Sequence, residues 1–141
     1  RQWTLAELVA FHTAHKLTLM AHSIAAYRRL GQLVAGAGSL APAVVAERYF
    51  EGFMTALAAT ATPRRHANVL QHMAGYFKTV LDRAQKAELA AAIADYRGGL
   101  VPLVVPMTLM RHHVRRHDVS YLAGQVYLEP HPKELMLRNH V

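Results

Sequence analysis

The chain has 141 residues and no cysteine, which excludes disulfides and any thiolate-ligated zinc or iron–sulfur cluster within it. Its length suits one domain able to bury its own core, and no run of 18 or more residues is apolar and uncharged enough to suggest a membrane span. A formal net charge of +7 points toward nucleic acid or another anionic surface.

Residues 4–35 read as one long helix. Thr4 and Glu7 stand at capping-box spacing, and Gly36 and Gly38 stop the run. It is apolar on two sides, through Leu8, Phe11, Leu19 and Ala26 on one stripe and Val9, Leu17, Met20 and Tyr27 on the other. Such a helix is expected to be central, with neighbours on both flanks. His12, Lys16 and Ser23 form a polar seam between the stripes.

A second helix is expected over residues 42–59, with Val45, Tyr49, Phe53 and Leu57 inward. A third is expected over residues 62–82, capped by Thr62 with Pro63 at the first helical position. Stepped at 100° per residue, it splits in two. His66, Val69, Leu70, Met73, Tyr76, Phe77, Val80 and Leu81 fall on the dry side. Arg64, Arg65, Asn68, Gln71, His72, Gly75 and Lys78 fall on the wet side, with glycine in mid-helix where alanine would be about 1 kcal/mol better.

A fourth helix over residues 85–96 ends at Gly98 and Gly99. A fifth starts near Pro102 and continues to His117, with Pro106 either bending it or marking its start. Its dry side is Leu103, Met107, Met110 and Val114; its wet side is Thr108, Arg111, His112, Arg115 and Arg116. Residues 120–128 read as either helix or extended chain, residues 129–132 as a turn, and residues 133–139 as a last short helix. Strand signals are almost absent. The expectation is an all-α, single-domain bundle of about five to six helices with a long central first helix.

The distribution of charge says more than its total. No acid occurs from Gly52 to Leu81 or from Tyr96 to His117. Arginine chelates phosphate with two N–H groups, asparagine and glutamine read base edges, and glycine admits a close backbone. On that chemistry the candidate nucleic-acid-binding residues are Arg64, Arg65, Asn68, Gln71, His72, Gly75, Lys78, Arg111, His112, Arg115 and Arg116, with Lys16 added from the first seam. The plain alternative is a solvated basic face. Two further readings stay open: an enzyme or metal-dependent catalyst built from His12, Lys16, His72 and His112, and an adaptor whose basic faces meet an acidic protein. Against catalysis, Ser23 and His22 diverge by about 100° on a helix, and no Walker loop, GxGxxG or HExxH is present. The pairs His12/His15 and His113/His117 have metal-ligand spacing but no acid to complete a site. His15, His22 and His66 lie on apolar stripes and read as core. No catalytic or metal-binding residue is therefore assigned to this chain.

Four stretches carry a resemblance: FHTAHKLTLMAHS (11–23), RRHANVLQHMAGYFK (64–78), YRGGLVPLVVPMTLMRHHVRRH (96–117) and YLAGQVYLEPHPKELMLRN (121–139). In this order and over nearly the whole chain, they resemble the YbgA-like domain family. Pro63 departs from the more basic run of that family but leaves Arg64 and Arg65 in register. Members occur alone or fused behind a TudS-type desulfidase that carries an iron–sulfur cluster. The fused, RudS-like form removes sulfur from 4-thiouridine in tRNA. The resemblance implies a cytoplasmic domain that binds tRNA or other structured RNA, without catalytic residues, cofactor or membrane contact of its own. Its partner would be a TudS-type desulfidase domain in cis or in trans, and the cluster would belong to that partner. A start at Arg1 rather than methionine fits a domain cut from a longer protein.

Overall fold

The computed structural model describes residues 3–129; the expected turn at residues 129–132, apart from Glu129, and the expected helix at 133–139 lie outside them. Among the described residues the protein is all-helical. Eight α-helices follow in order: α1 (Leu5–Ala14), α2 (Lys16–His22), α3 (Ile24–Ala35), α4 (Pro42–Ala58), α5 (Pro63–Ala74), α6 (Arg83–Arg97), α7 (Val104–His117) and α8 (Ser120–Ala123), with short 3-10 turns at Ala37–Ser39, Gly75–Phe77 and Val126–Leu128. None of these helices is long and apolar enough to cross a membrane. Two compact units divide the chain between Ala61 and Thr62.

The expected long first helix is in fact three helices, which also raises the helix count above five or six. The start is as read: Thr4 and Glu7 close a capping box. The run then breaks at His15 and again at Ser23. At His15 the backbone leaves helical geometry (φ −104°, ψ 7°); its N–H still donates to the Phe11 carbonyl at 3.1 Å, and the imidazole Nδ1 lies 2.8 Å from the same oxygen. At Ser23 the chain extends (φ −161°, ψ 108°), and the hydroxyl accepts from the Ala26 N–H to cap α3. Serine favours this role over a helix interior.

The first unit folds these short helices against α4. Its interior holds Leu8, Leu19, Leu30, Val45, Tyr49 and Phe53, and the Phe11 ring meets Tyr49, Phe50 and Phe53 edge-on. His22 Nδ1 sits 2.7 Å from the Ala59 carbonyl at the end of α4, where a helix leaves acceptors unsatisfied. A Cβ on Gly52 would lie 2.8 Å from Leu30 Cδ2, so α3 and α4 approach closely because residue 52 has no side chain.

In the second unit α5 packs on α6, α6 on α7, and α7 on both α5 and α8. The expected third helix, residues 62–82, ends early: α5 stops at Ala74 and tightens into the 3-10 turn. Asp82, read as its last residue, instead caps α6 through a capping box with Gln85. Gly75 is therefore at a helix end and not in mid-helix. Pro106 falls in the first turn of α7, where a missing N–H leaves no intrahelical bond unmade. Asp118 ends that helix in left-handed geometry, φ 50° and ψ 50°.

The two glycines should respond oppositely to substitution. Gly52→Leu overpacks the α3–α4 contact and should cost about 1–3 kcal/mol in urea denaturation. Gly75→Ala adds a Cβ into open space at an ordinary helical conformation and should cost nothing. Equal stability of Gly52→Leu and the parent would refute the close approach.

Candidate nucleic-acid interface

Thr62 caps α5 by accepting the Arg65 N–H at 3.2 Å, and Pro63 supplies the first helical residue. This start sets the rotation of the helix. His66, Ala67, Val69, Leu70 and Met73 are buried. Arg64, Arg65, Asn68, Gln71 and His72 are exposed, followed by exposed Gly75 and Lys78. Arg64, Asn68, Gln71 and Gly75 succeed one another at helical spacing, so they share one strip. Among the described residues no carboxylate is paired with Arg64 or Lys78.

On α7, His112, Arg115 and Arg116 are exposed and Arg111 is half-buried. Arg111 turns back along the unit, with Nη1 3.4 Å from the Leu128 carbonyl and Nη2 3.5 Å from Thr108 Oγ1. These are long contacts, so the guanidinium is drawn inward more than fixed. The dry side is as read, with Met107, Met110 and Val114 buried. Phe77 and His113 rings lie 5.9 Å apart, which ties the end of the α5 segment to α7.

Periodicity misplaces Tyr76. It was assigned to the dry side on the premise that the helix ran through it. The 3-10 turn instead leaves it 38% exposed, stacked on Tyr121 (centroids 5.0 Å apart, planes at 15°) with His72 edge-on at 5.9 Å. Tyr76 is exposed and Tyr121 half-buried, so the Tyr76 ring, beside cations and amides, is the member of the pair on which an unpaired base can stack. The turn pattern after Gly75 was the available signal.

Lys16 belongs to the first unit, where its Nζ lies 5.6 Å from the Tyr27 ring centroid. His12 is there as well, with Nδ1 2.8 Å from the Tyr49 hydroxyl and its ring parallel to Tyr27. Burial, and then the charge of Lys16, hold the His12 pKa below its ordinary value. His72 and His112 are on α5 and α7 in the second unit. Among the described residues no group of three histidine or carboxylate side chains is arranged to hold a metal. His113 is buried, and neither of its ring nitrogens has a hydrogen-bond partner among the described residues. Burial lowers its pKa first, then His112 and His117; Glu88 pulls the other way.

Fold and surface together define a small, all-helical basic protein whose second unit displays cations, amides and an aromatic stack. The chain belongs to the family described as "Protein of unknown function (DUF1722)", whose model matches residues 16–132. It is 34% identical over 137 residues to "Uncharacterized protein YbgA" of Escherichia coli (strain K12), covering 96% of this chain and 81% of that protein. The resemblance to the YbgA-like domain is thereby established. No solved structure matches the chain.

The environment of His113 carries a pH signature. Its folded-state pKa lies below the ordinary 6.5. Above that pH the group is neutral in both states and neutral on stability. As pH falls through 6.5 the unfolded chain binds a proton that the folded chain resists, so stability drops. Thermal melts from neutral pH to about pH 5 should show a falling Tm, and His113→Leu should flatten that fall. An unchanged slope in the variant would refute the assignment.

Proposed function

We propose that this chain is an RNA-binding domain, with tRNA as its RNA class, that presents 4-thiouridine-containing tRNA to a TudS-type iron–sulfur desulfidase. The observation that carries RNA binding is the exposed face of one charge sign on the second unit: Arg64, Arg65, Lys78, Arg115 and Arg116, interleaved with Asn68, Gln71 and His72. The cations meet phosphates and set position and affinity. The amides and His72 reach sugar or base edges, and Gly75 admits the backbone. Arg111 and His112 extend the phosphate contacts along α7.

The desulfidase partnership rests on the family resemblance. With no cysteine in the sequence, the cluster belongs to the partner, and so does the chemistry. The Escherichia coli relative extends little beyond the matched segment, since 81% of it is covered. A relative of that size favours a partner acting in trans as readily as one fused in cis. Such a substrate sets the domain in the cytoplasm.

A tRNA-binding titration across salt concentrations tests the reading. Six cations, Arg111 included, each neutralising one phosphate, give a log–log slope of about −4 to −5. The double variant Arg64→Ala, Arg115→Ala should lower the steepness by about 1.5–2. Absence of binding at low salt, or a double variant that binds like the parent, would sink the proposal.

A further inference from the structure

A groove of about 330 Å³ opens between the end of α5 and the face of α6. Gln71, Gly75 and Lys78 line one side, and Lys86, Leu89 and Ile93 the other. The side chains of Leu89 and Ile93 are buried and make an apolar floor. Two ammonium groups and an amide stand above it, and no carboxylate lines it.

We infer that this groove is a pocket for one unstacked base of a single-stranded RNA segment, an assignment that rests on the RNA-binding reading above. Its size is at the small end for ligand sites. An apolar floor suits the face of a base. Gln71 offers both a donor and an acceptor to a base edge, and Lys78 and Lys86 flank the opening where the phosphates on either side of an extruded nucleotide would run. A base paired within a duplex has neither its face nor its pairing edge available.

Gly75 is the second, independent observation. It adopts ordinary right-handed helical geometry (φ −60°, ψ −27°), and a Cβ built there meets no protein atom within 4 Å. Neither backbone strain nor packing within the described residues calls for glycine. The space that its missing side chain leaves lies in the groove, where an entering nucleotide would fill it. Lys86 was absent from the residues that periodicity selected, because it lies on α6, whose surface mixes both charge signs.

Fluorescence anisotropy with two labelled probes tests the pocket: a short oligouridylate and a fully paired RNA duplex. Gly75→Leu closes the groove without touching its cations, and circular dichroism melts confirm that the variant folds. It should weaken oligouridylate binding by about tenfold, the scale of one stacked base, and weaken duplex binding by clearly less. Lys86→Ala should weaken the oligouridylate by several-fold and the duplex by less. If Gly75→Leu and Lys86→Ala bind the oligouridylate like the parent while the parent binds duplex, the pocket is wrong and the RNA-binding reading stands. Equal losses on both probes also overturn the pocket. If the parent binds neither RNA, the reading itself fails and the pocket falls with it.

Discussion

A single buried hydrogen bond organises the basic unit: His66 Nδ1 lies 2.6 Å from the Tyr127 hydroxyl. His66 points inward from the first turn of α5, Tyr127 comes from the 3-10 turn after α8, and the Tyr96 ring of α6 stands edge-on at 6.4 Å. All three side chains are buried, and burial pushes the Tyr96 hydroxyl up to about 12. Leaving a buried polar group unmatched costs about 1–3 kcal/mol, so this pairing fixes which face of α5 turns inward. The outward face then follows from helical spacing alone. The first unit uses the same device, with His12 from α1 bonded to buried Tyr49 of α4. Each unit thus pins its opening helix with a histidine that reaches a tyrosine far along the chain.

The basic surface depends equally on where the acids are. Glu7 and Asp82 complete capping boxes, and Asp118 ends α7. At the two N-terminal ends the acids take part in satisfying backbone N–H groups, whereas Asp118 adopts the left-handed conformation that stops α7. Glu88 and Asp95 sit on α6 beside Arg83, Lys86 and Arg97, so α6 has the mixed signs of an ordinary solvated helix. α5 and α7 carry no acid at all. The contrast within one unit is therefore one of charge sign: α6 carries both signs, while α5 and α7 carry cations alone.

Much of this was legible in the sequence because it follows from periodicity. The caps at Thr4 and Thr62, the start of α4 at Pro42, the dry sides of α4 and α7, and the core placement of His66 all come from spacing or local start signals. Failures arose where a side chain meets backbone groups locally. His15 and Ser23 do so at the two breaks in a run whose apolar pattern continues unbroken through both. Asp82 was read as the last residue of one helix when its spacing to Gln85 made it the first cap of the next. The aromatic stack was illegible for another reason. Tyr121 is distant in sequence from Tyr76, and only tertiary packing brings the rings together.

The misread end of α5 and the proposed recognition surface share a location. Had the helix continued from residue 62 to residue 82, Tyr76 would have turned into the core and Gly75 would have been a costly interruption. Because α5 ends at Ala74, the chain tightens. Tyr76 swings out against Tyr121, Phe77 takes the buried place beside His113, and Gly75 is left at the lip of the groove. The irregular turn therefore separates two tasks that one helix face could not perform together. Phe77 keeps the unit closed, while its two predecessors offer a flat aromatic face and an unobstructed backbone. A regular helix displays charge well, but it places side chains over every part of its own surface. Close approach by a base requires that the regularity stop, and here it stops between the amide of Gln71 and the ammonium of Lys78.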